Sequence, residues 1–451
     1  MNRIANRAMA LLVLVIVLVG GFVFFLSEYF VKSEKWVMDY GSPHVYDGGN
    51  IGCGVVVDRD GALLLDLNGG RTYSNLQSLR KSTIHWVGDK EGNILASALT
   101  HYAKELAGYD RFNGVYSYGQ SGGVAELTLS AKMQTAALEA LGDYKGTIAV
   151  YNYETGEILC AVTTPTYDPD SVPDLTNDPD GVYEGVYVNR FTQSGYIPGS
   201  IFKIVTLAAA LETSPDVTTQ FFACTGSYMI GNEEITCEDI HGTQSLKEAF
   251  CNSCNCAFAQ IALQLGGDTL QEYVAKFGVV DALSFDGITT AKGNFQAAGA
   301  EDLNVAWSAI GQYLDQVNPC AFLAFMGAVA NDGVTTMPHL VNKITVGGSK
   351  TYSAAAGEQT RIMSAETAAT LQEYLQNNVV SKYGAENFPN LTVGAKTGTG
   401  EVGGEKKPNA MLAGYVENTD LPLAFVACVE DAGYGRTVCI PMISAVLAAA
   451  E

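Results

Sequence analysis

Three short polar motifs stand in a fixed order within an otherwise apolar chain, and their side chains could carry out acyl transfer. They are Ser200-Ile201-Phe202-Lys203, Ser253-Cys254-Asn255 and Lys396-Thr397-Gly398-Thr399. A serine hydroxyl is a weak nucleophile at neutral pH and needs a base. One hydroxyl together with two lysine amines that can accept and pass on its proton predicts a serine acyl-transfer site. Each motif is weak evidence alone, so the prediction depends on their occurring together.

The first motif predicts a nucleophile and its base on one helical face. Pro198 and Gly199 break the preceding structure, and apolar residues then recur at helical spacing, so Ser200 should lie in the first turn of a buried helix. Lys203 follows one turn later, and burial near a second ammonium can leave its amine neutral. The alternative is a helix-capping serine beside a solvated lysine. Ser78-Leu79-Arg80-Lys81 has the same spacing but polar neighbours and no plausible partner motifs.

The second motif is the only Ser-x-Asn in the chain and precedes a helix-like run over 257–265. The hydroxyl of Ser253 could relay a proton to a leaving amine, and the carboxamide of Asn255 could hold a substrate amide while bonding the lysine. Standing alone, the motif would be better explained as a helix start without chemistry.

The third motif suits a strand that enters the site. Gly398 removes a side chain where a substrate must approach the strand edge. Lys396 offers a second ammonium, while Thr397 and Thr399 offer hydroxyls for a substrate carboxylate. The edge of such a strand could also bind an extended peptide through its backbone. The alternative is a surface strand rich in threonine and glycine.

Together these motifs resemble the transpeptidase domain of class B penicillin-binding proteins. The likeness covers roughly Glu126 to the C-terminus and includes the stretches 189–200 and 241–253, the pair Gly311-Gln312, and residues 396–401. The preceding region resembles the membrane span and pedestal of that family more loosely. No glycosyltransferase domain is evident.

The resemblance implies a role for each candidate residue. Ser200 would attack the carbonyl of a D-Ala-D-Ala stem peptide, and Lys203 would take its proton. Three further residues would assist proton transfer and hold the substrate: Ser253, Asn255 and Lys396.

The resemblance also implies the rest of the reaction and its partners. The backbone N–H groups of Ser200 and Thr399 would form the oxyanion hole. An amine of a neighbouring stem peptide would receive the acyl group, and β-lactams would trap Ser200 as a slowly hydrolysed ester. No metal or organic cofactor is implied. The implied partners are stem peptides, their lipid-linked precursor and a membrane glycan polymerase.

Two departures from the family pattern leave alternatives open. Cys254, with Cys251 and Cys256 beside it, could make the site redox-sensitive or could simply be small apolar packing. The run Glu301-Asp302-Leu303-Asn304 superficially resembles the deacylating loop of class A β-lactamases, but its spacing is wrong by one residue. The alternatives to a transpeptidase are a D,D-carboxypeptidase or β-lactamase that uses water, and a non-catalytic sensor or scaffold.

The cysteines give a further set of expectations. Ten cysteines is a high count for an exported protein, and Cys224 and Cys237 bracket a short glycine-containing loop and could pair. Buried thiols are the alternative. We expect no metal site, because one would need more histidines or a second cysteine pair at ligand spacing, and we find none near.

Composition narrows the class of protein. The chain has 451 residues, of which 47% are hydrophobic and 16% charged, and its formal net charge is −22. These values predict a globular protein with sizeable cores. The acidic balance disfavours a nucleic-acid partner, which needs a basic face.

The first residues predict a membrane anchor. Residues 8–26 are 19 consecutive uncharged, mainly aliphatic positions, enough to cross a hydrocarbon core of about 30 Å. A cleaved signal peptide is less consistent, because no small-x-small cleavage pattern follows. Tyr29 and Trp36 are candidate interface residues. Basic residues on the two sides are nearly balanced, and a seven-residue cytoplasmic head (1–7) favours an extracytoplasmic catalytic part.

The remaining pattern predicts two further parts. Residues 27–122 should form a small pedestal domain with a hairpin within 54–65, ending in a linker at 117–123. Residues 123–451 should form the transpeptidase domain. A helix near 133–141, hairpins over 147–162 and 412–429, and a final helix at 437–450 predict an α/β (α+β) fold, an antiparallel sheet flanked by helices.

Overall fold

Two larger β-sheets, of five and six strands, and five two-stranded pairs pack with helices in the folded part of the chain. A computed structural model describes residues 2–39, 41–43, 45–112, 114–115, 122–417 and 420–450. The helices are α1 (Asn2–Val37), α2 (Gln77–Val87), α3 (Ser97–His101), α4 (Ala103–Ala107), α5 (Ala131–Leu141), α6 (Arg190–Gln193), α7 (Lys203–Thr213), α8 (Leu246–Cys251), α9 (Asn255–Leu265), α10 (Gly267–Phe277), α11 (Asp302–Ser308), α12 (Pro319–Ala330), α13 (Ala365–Asn378) and α14 (Gly435–Ala448).

The strands are β1 (Tyr46–Asp47), β2 (Asn50–Ile51), β3 (Val55–Val57), β4 (Leu63–Asp66), β5 (Thr72–Tyr73), β6 (Val124–Leu127), β7 (Gly146–Asn152), β8 (Ile158–Thr164), β9 (Phe221–Cys224), β10 (Ser227–Ile230), β11 (Glu233–Thr236), β12 (Gly242–Ser245), β13 (Ser284–Phe285), β14 (Ile288–Thr289), β15 (Val334–Thr336), β16 (Val341–Val346), β17 (Ser349–Ser353), β18 (Gln359–Arg361), β19 (Val393–Gly400), β20 (Asn409–Val416) and β21 (Leu423–Val429).

The five-stranded sheet has the antiparallel order β19-β20-β21-β7-β8. Its two predicted hairpins, β7–β8 and β20–β21, are confirmed, although residues 418 and 419 of the second turn lie outside the described residues. The inner strands are buried along almost their whole length, because helices cover both faces. β19, which carries the third motif, lies at an edge of the sheet, and no other strand within the described residues pairs with its outer side.

Alternate residues of each strand enter two separate apolar cores. Ile148 and Val150 pack with α5 and α14, whereas Ala149 and Tyr151 face the core that contains α7, α9 and α12. The strand period of two residues explains this division. The predicted helix near 133–141 is α5, and the final helix begins two residues earlier than predicted. The expected α/β fold with an antiparallel sheet flanked by helices is therefore confirmed.

The six-stranded sheet joins distant parts of the chain in the order β17-β16-β6-β3-β4-β5. The predicted hairpin within 54–65 is confirmed as β3–β4. β6, which follows the predicted linker, pairs in parallel with β3, and β16 then pairs with β6. Most of that linker, 117–121, lies outside the described residues. The division at residue 122 stays a prediction, and the two proposed parts share this sheet.

The N-terminal helix continues well past the predicted anchor. α1 has 36 residues, which corresponds to about 54 Å at 1.5 Å per residue. Among the described residues, it is the one helix long and apolar enough to cross a membrane. Beyond the apolar run, Ser33 accepts a hydrogen bond of 2.8 Å from Tyr109, and Glu34 lies 3.2 Å from Lys104. The far end of α1 is thereby attached to the segment around α4.

The shared sheet predicts that the fragment 123–451 is less stable than the fragment 27–451. Removing β3 opens one side of β6 and exposes Ala125 and Leu127, which are fully buried in the intact chain. We expect a lower midpoint of thermal unfolding for the shorter fragment, measured by circular dichroism. Equal midpoints would show instead that the division at residue 122 separates independent domains.

Candidate active site

The first motif lies where a 3-10 turn, Gly199–Phe202, runs into α7. Apolar residues along α7 are buried. Lys203, which begins the helix, is buried with them and has no exposed surface. Ser200, one turn earlier, remains half-buried at the wall of a cleft. The predicted position of Ser200 at the start of a buried helix is confirmed.

The amine of Lys203 lies at the centre of a hydrogen-bond network. Its Nζ lies 2.7 Å from the carbonyl oxygen of Ser253, 2.7 Å from Oδ1 of Asn255 and 3.0 Å from Oγ of Ser200. The first two atoms can only accept, so they take two N–H bonds. A neutral amine then has its lone pair left for the hydroxyl proton of Ser200. The network therefore holds the amine in the orientation that a general base requires.

The second motif forms the turn between α8 and α9. Ser253 has a left-handed backbone with φ of 54°, which is uncommon for a residue with a side chain. Cys254 caps α9 by accepting the N–H of Ala257 at 3.4 Å, and Asn255 opens the helix. Asn255 also donates through Nδ2 to the carbonyl oxygen of Thr236, at 2.9 Å. The turn thus presents Ser253 and Asn255 together to Lys203.

The third motif brings the second amine from the distant strand β19. Nζ of Lys396 lies 3.0 Å from Oγ of Ser253 and 3.0 Å from the carbonyl oxygen of Thr397. Oγ of Ser253 also lies 3.1 Å from Nζ of Lys203, so one hydroxyl bridges the two amines. The structure therefore brings all three motifs together.

Burial changes the protonation of both amines. It lowers the pKa of Lys203 to about 8, against small opposing effects from nearby thiols and Glu238. It also lowers the pKa of Lys396 well below its ordinary value, and the charge of Lys203 lowers that pKa further. Two ammonium groups joined through one hydroxyl repel each other, so one of them is readily neutral.

Close backbone contact fixes the distance between the first and third motifs. Gly199 has φ of +52°, and a Cβ at this position would lie 2.1 Å from the carbonyl oxygen of Thr399. A Cβ on Gly398 would lie 2.6 Å from the carbonyl oxygen of Pro198. Neither residue can carry a side chain unless the turn and the strand separate.

Some residues that support β19 had no recognisable signal in the sequence. The hydroxyl of Tyr383 lies 3.1 Å from both the N–H and Oγ1 of Thr397, and Gln312 donates to the carbonyl oxygen of Thr399 at 3.2 Å. Asn378, at the end of α13, donates to the carbonyl oxygen of Ala395 at 3.0 Å. Of these, only Gln312 was included in the family resemblance. Tyr383 and Asn378 are separated from the motif in sequence and could be found only from the fold.

The motifs line one cleft of about 890 Å³. Ser200, Ser253, Asn255 and Lys396 face it with Thr397, Gly398 and Thr399, while Trp307, Tyr313, Tyr434 and Arg436 contribute to its rim. The cleft combines an oriented nucleophile, a base, a bridging hydroxyl and an exposed strand edge. This arrangement can acylate a serine with a peptide-like substrate.

The cysteines correct one expectation from the sequence. In the part of the chain that the structure describes, no disulfide joins any of the ten cysteines, so Cys224 and Cys237 are not paired. The expectation that no histidine lies near them is wrong, because Cys224, Cys237, His241 and Cys254 converge with ligand atoms within 4.8 Å of one another. The Cys-x3-His spacing of residues 237–241 was the available signal. We call these four residues the cysteine–histidine cluster.

Comparisons with known proteins agree with this geometry. A model of the penicillin binding protein transpeptidase domain matches residues 146–447. The chain is 29% identical to the peptidoglycan D,D-transpeptidase PbpA of Mycolicibacterium smegmatis, over 73% of this chain and 72% of that protein.

Two solved structures share the fold. The D,D-transpeptidase domain of a peptidoglycan glycosyltransferase from Eggerthella lenta aligns with a TM-score of 0.75 and 26% identity, over 88% of this chain and 97% of that one. Penicillin-binding protein A of M. tuberculosis, solved as a ceftriaxone acyl-enzyme complex, aligns with a TM-score of 0.76 and 22% identity, over 88% and 98%.

The contact at Gly199 predicts that Gly199→Ala separates Ser200 from β19. We expect acylation of Ser200 by a fluorescent penicillin to slow by about a hundredfold, because misplacement by about 1 Å is that costly. Gly231→Ala is the matched control, since Gly231 has φ of +62° and open space around it. Equal rates for the two variants would contradict the contact.

The lowered pKa of Lys203 predicts a pH-dependent rate of acylation. Only the neutral amine can accept the proton of Ser200, so the rate should fall about tenfold per pH unit below the pKa and level off above it. Stopped-flow measurement of penicillin acylation on the full chain would give this profile. A rate that stays constant from about pH 6 to about pH 9 would show that another group is the base.

Proposed function

The chain belongs to the penicillin-binding protein transpeptidase family, and on that premise we propose how it acts as a serine D,D-transpeptidase that cross-links peptidoglycan stem peptides. The observation that carries the proposal is the amine of Lys203, which lies 3.0 Å from Oγ of Ser200 while two acceptors hold its N–H groups. This network supplies a base for the hydroxyl without any metal or organic cofactor taking part in the reaction.

Acylation begins with Oγ of Ser200 attacking the carbonyl carbon between the two D-Ala residues of a donor stem. Lys203 takes the hydroxyl proton as the bond forms. The carbonyl oxygen becomes an oxyanion that the backbone N–H groups of Ser200 and Thr399 stabilise. This assignment is supported by the contact between the backbone of Gly199 and that of Thr399.

Release of the terminal D-Ala requires a proton on its nitrogen. The hydroxyl of Ser253 lies 3.1 Å from Lys203 and 3.0 Å from Lys396, so it can pass a proton from these amines to the leaving group. The departing D-Ala leaves the donor peptide bound to Ser200 as an ester. An amine of a neighbouring stem then attacks the ester, gives up its proton along the same path and releases Ser200.

The edge of β19 positions the substrate. An extended stem peptide can lie along the outer edge of this strand, as peptides do at other open sheet edges, where several backbone groups already bond side chains. Thr397 and Thr399 are half-buried at the cleft wall, where their hydroxyls can bind the terminal carboxylate. Asn255 holds the substrate amide on the opposite side. A β-lactam occupies the same place and traps Ser200 as an ester.

The proposed location follows from α1. We propose that α1 crosses the cytoplasmic membrane once and that the catalytic part lies outside it, where stem peptides and their lipid-linked precursor are found. A membrane glycan polymerase is the proposed partner, because cross-linking needs newly made glycan strands.

Covalent labelling tests the nucleophile. The full chain in detergent should be labelled by a fluorescent penicillin, and Ser200→Ala should abolish the label because no hydroxyl remains to form the ester. Ser78→Ala removes the other serine with Ser-x-x-Lys spacing and should label as the unaltered chain does. Mass mapping would identify the modified residue. A label that persists in Ser200→Ala would show that Ser200 is not the nucleophile.

A second assay separates the transferase from the hydrolases and from a non-catalytic scaffold. The full chain is incubated with a D-Ala-D-Ala stem and an amine acceptor, and the products are separated by chromatography. Cross-linked product supports the transpeptidase. Release of D-Ala without it indicates a carboxypeptidase, and penicillin labelling without any turnover of the stem indicates a sensor or scaffold.

A further inference from the structure

The cysteine–histidine cluster draws on separate elements that meet beside the second motif. Cys224 ends β9, Cys237 follows β11, His241 precedes β12, and Cys254 caps α9. One potential ligand atom from each residue lies within 4.8 Å of the others, and all four residues are buried or half-buried. The lysine and serine network does not use these side chains.

Three of the six separations within the cluster match the edges of a tetrahedron, and the other three are at most 4.8 Å. Nδ1 of His241 lies 3.5 Å from Sγ of Cys224 and 3.6 Å from Sγ of Cys237, and the latter lies 3.9 Å from Sγ of Cys254. Zinc–sulfur bonds of about 2.3 Å and zinc–nitrogen bonds of about 2.0–2.1 Å give tetrahedral edges of about 3.6 Å for S–N and about 3.8 Å for S–S. A disulfide would require sulfurs about 2.05 Å apart.

We propose that the cysteine–histidine cluster binds one zinc ion as a closed Cys3His site. Thiolate and imidazole ligands favour zinc over the oxygen-seeking magnesium and calcium ions. The four side chains fill the tetrahedron and leave no position for water, so the ion is structural and takes no part in the reaction. Binding releases the thiol protons to solvent. The inference rests on this geometry and is independent of the proposed transpeptidase activity.

The ion would hold the second motif in place from behind. Cys254 is the middle residue of that motif, so its zinc bond fixes the turn whose left-handed residue, Ser253, contacts both lysines. Cys237 follows Thr236, whose carbonyl oxygen accepts the amide of Asn255. Zinc would therefore link Cys254, which precedes Asn255, to Cys237, which follows the residue that accepts its amide. It would also attach the 221–245 segment to α9.

Metal analysis of the full chain tests the site. The protein, purified in detergent without chelators, should contain about one zinc per chain by inductively coupled plasma mass spectrometry. Cys224→Ser and His241→Ala should each lose it. Cys251→Ala is the matched control, because Cys251 lines the same cleft but lies outside the cluster, and this variant should keep the zinc. Cobalt exchanged into the unaltered chain should give the visible bands of tetrahedral thiolate coordination.

Two results would overturn the proposal. One is zinc that remains in both Cys224→Ser and His241→Ala. The other is an unaltered chain that holds no zinc and takes up neither zinc nor cobalt after its thiols are reduced, including the case in which mass mapping finds Cys237 and Cys254 joined as a disulfide. Because metal content is measured without a substrate, neither result depends on whether the chain is a transpeptidase.

The positioning effect has its own readout. Removing the zinc with a chelator should slow penicillin acylation of Ser200 by about tenfold, in line with the effect of outer ligands on metal sites, and added zinc should restore the rate. Circular dichroism would check that the chain stays folded. An unchanged rate in a folded, zinc-free chain would refute the positioning effect.

Discussion

A lysine amine buried away from water is stable only if it is neutral or if hydrogen-bond partners stabilise its charge. Lys203 lies between these two cases. Full burial disfavours its ammonium form, while the carbonyl oxygen of Ser253 and Oδ1 of Asn255 satisfy two of its N–H groups at 2.7 Å. The rest of the nitrogen faces two hydroxyls, that of Ser200 at 3.0 Å and that of Ser253 at 3.1 Å. The surrounding elements exclude water from this nitrogen, orient it and hold it within reach of a hydroxyl.

The elements around Lys203 come from three separate segments of the chain, and two of them meet through backbone contact. α7 delivers the lysine, the turn before α9 delivers its acceptors, and β19 delivers the second amine. Glycines at 199 and 398 allow the turn and the strand to touch directly. Contact of this kind needs both partners to be held firmly: α7 packs in the core that contains α9 and α12, and β19 packs in the core that contains α5 and α14. Stability of the fold and precision of the site therefore have a common origin.

Local patterns in the sequence predicted the parts whose causes are local. The hairpins, α5, α14 and the helix positions of the first two motifs follow from residue periodicity and turn residues within a few positions. β6 pairs with β3, about seventy residues earlier, and with β16, more than two hundred residues later, and no periodicity specifies such partners. The position of Tyr383 and the convergence of His241 with three cysteines are also products of tertiary folding, although the Cys-x3-His spacing of residues 237–241 is present in the sequence.

The attachment of α1 has a consequence for how the molecule can work at a surface. The helix continues for eleven residues past the apolar run and is fastened to the folded part at Ser33 and Glu34, so it acts as a stiff stalk rather than a tether. In the proposed orientation, the helix then fixes the distance between the cleft opening and the membrane surface, and the direction in which the cleft opens. Each residue inserted into the stalk would raise that opening by about 1.5 Å and swing it by about 100°, so that distance and direction cannot be altered separately.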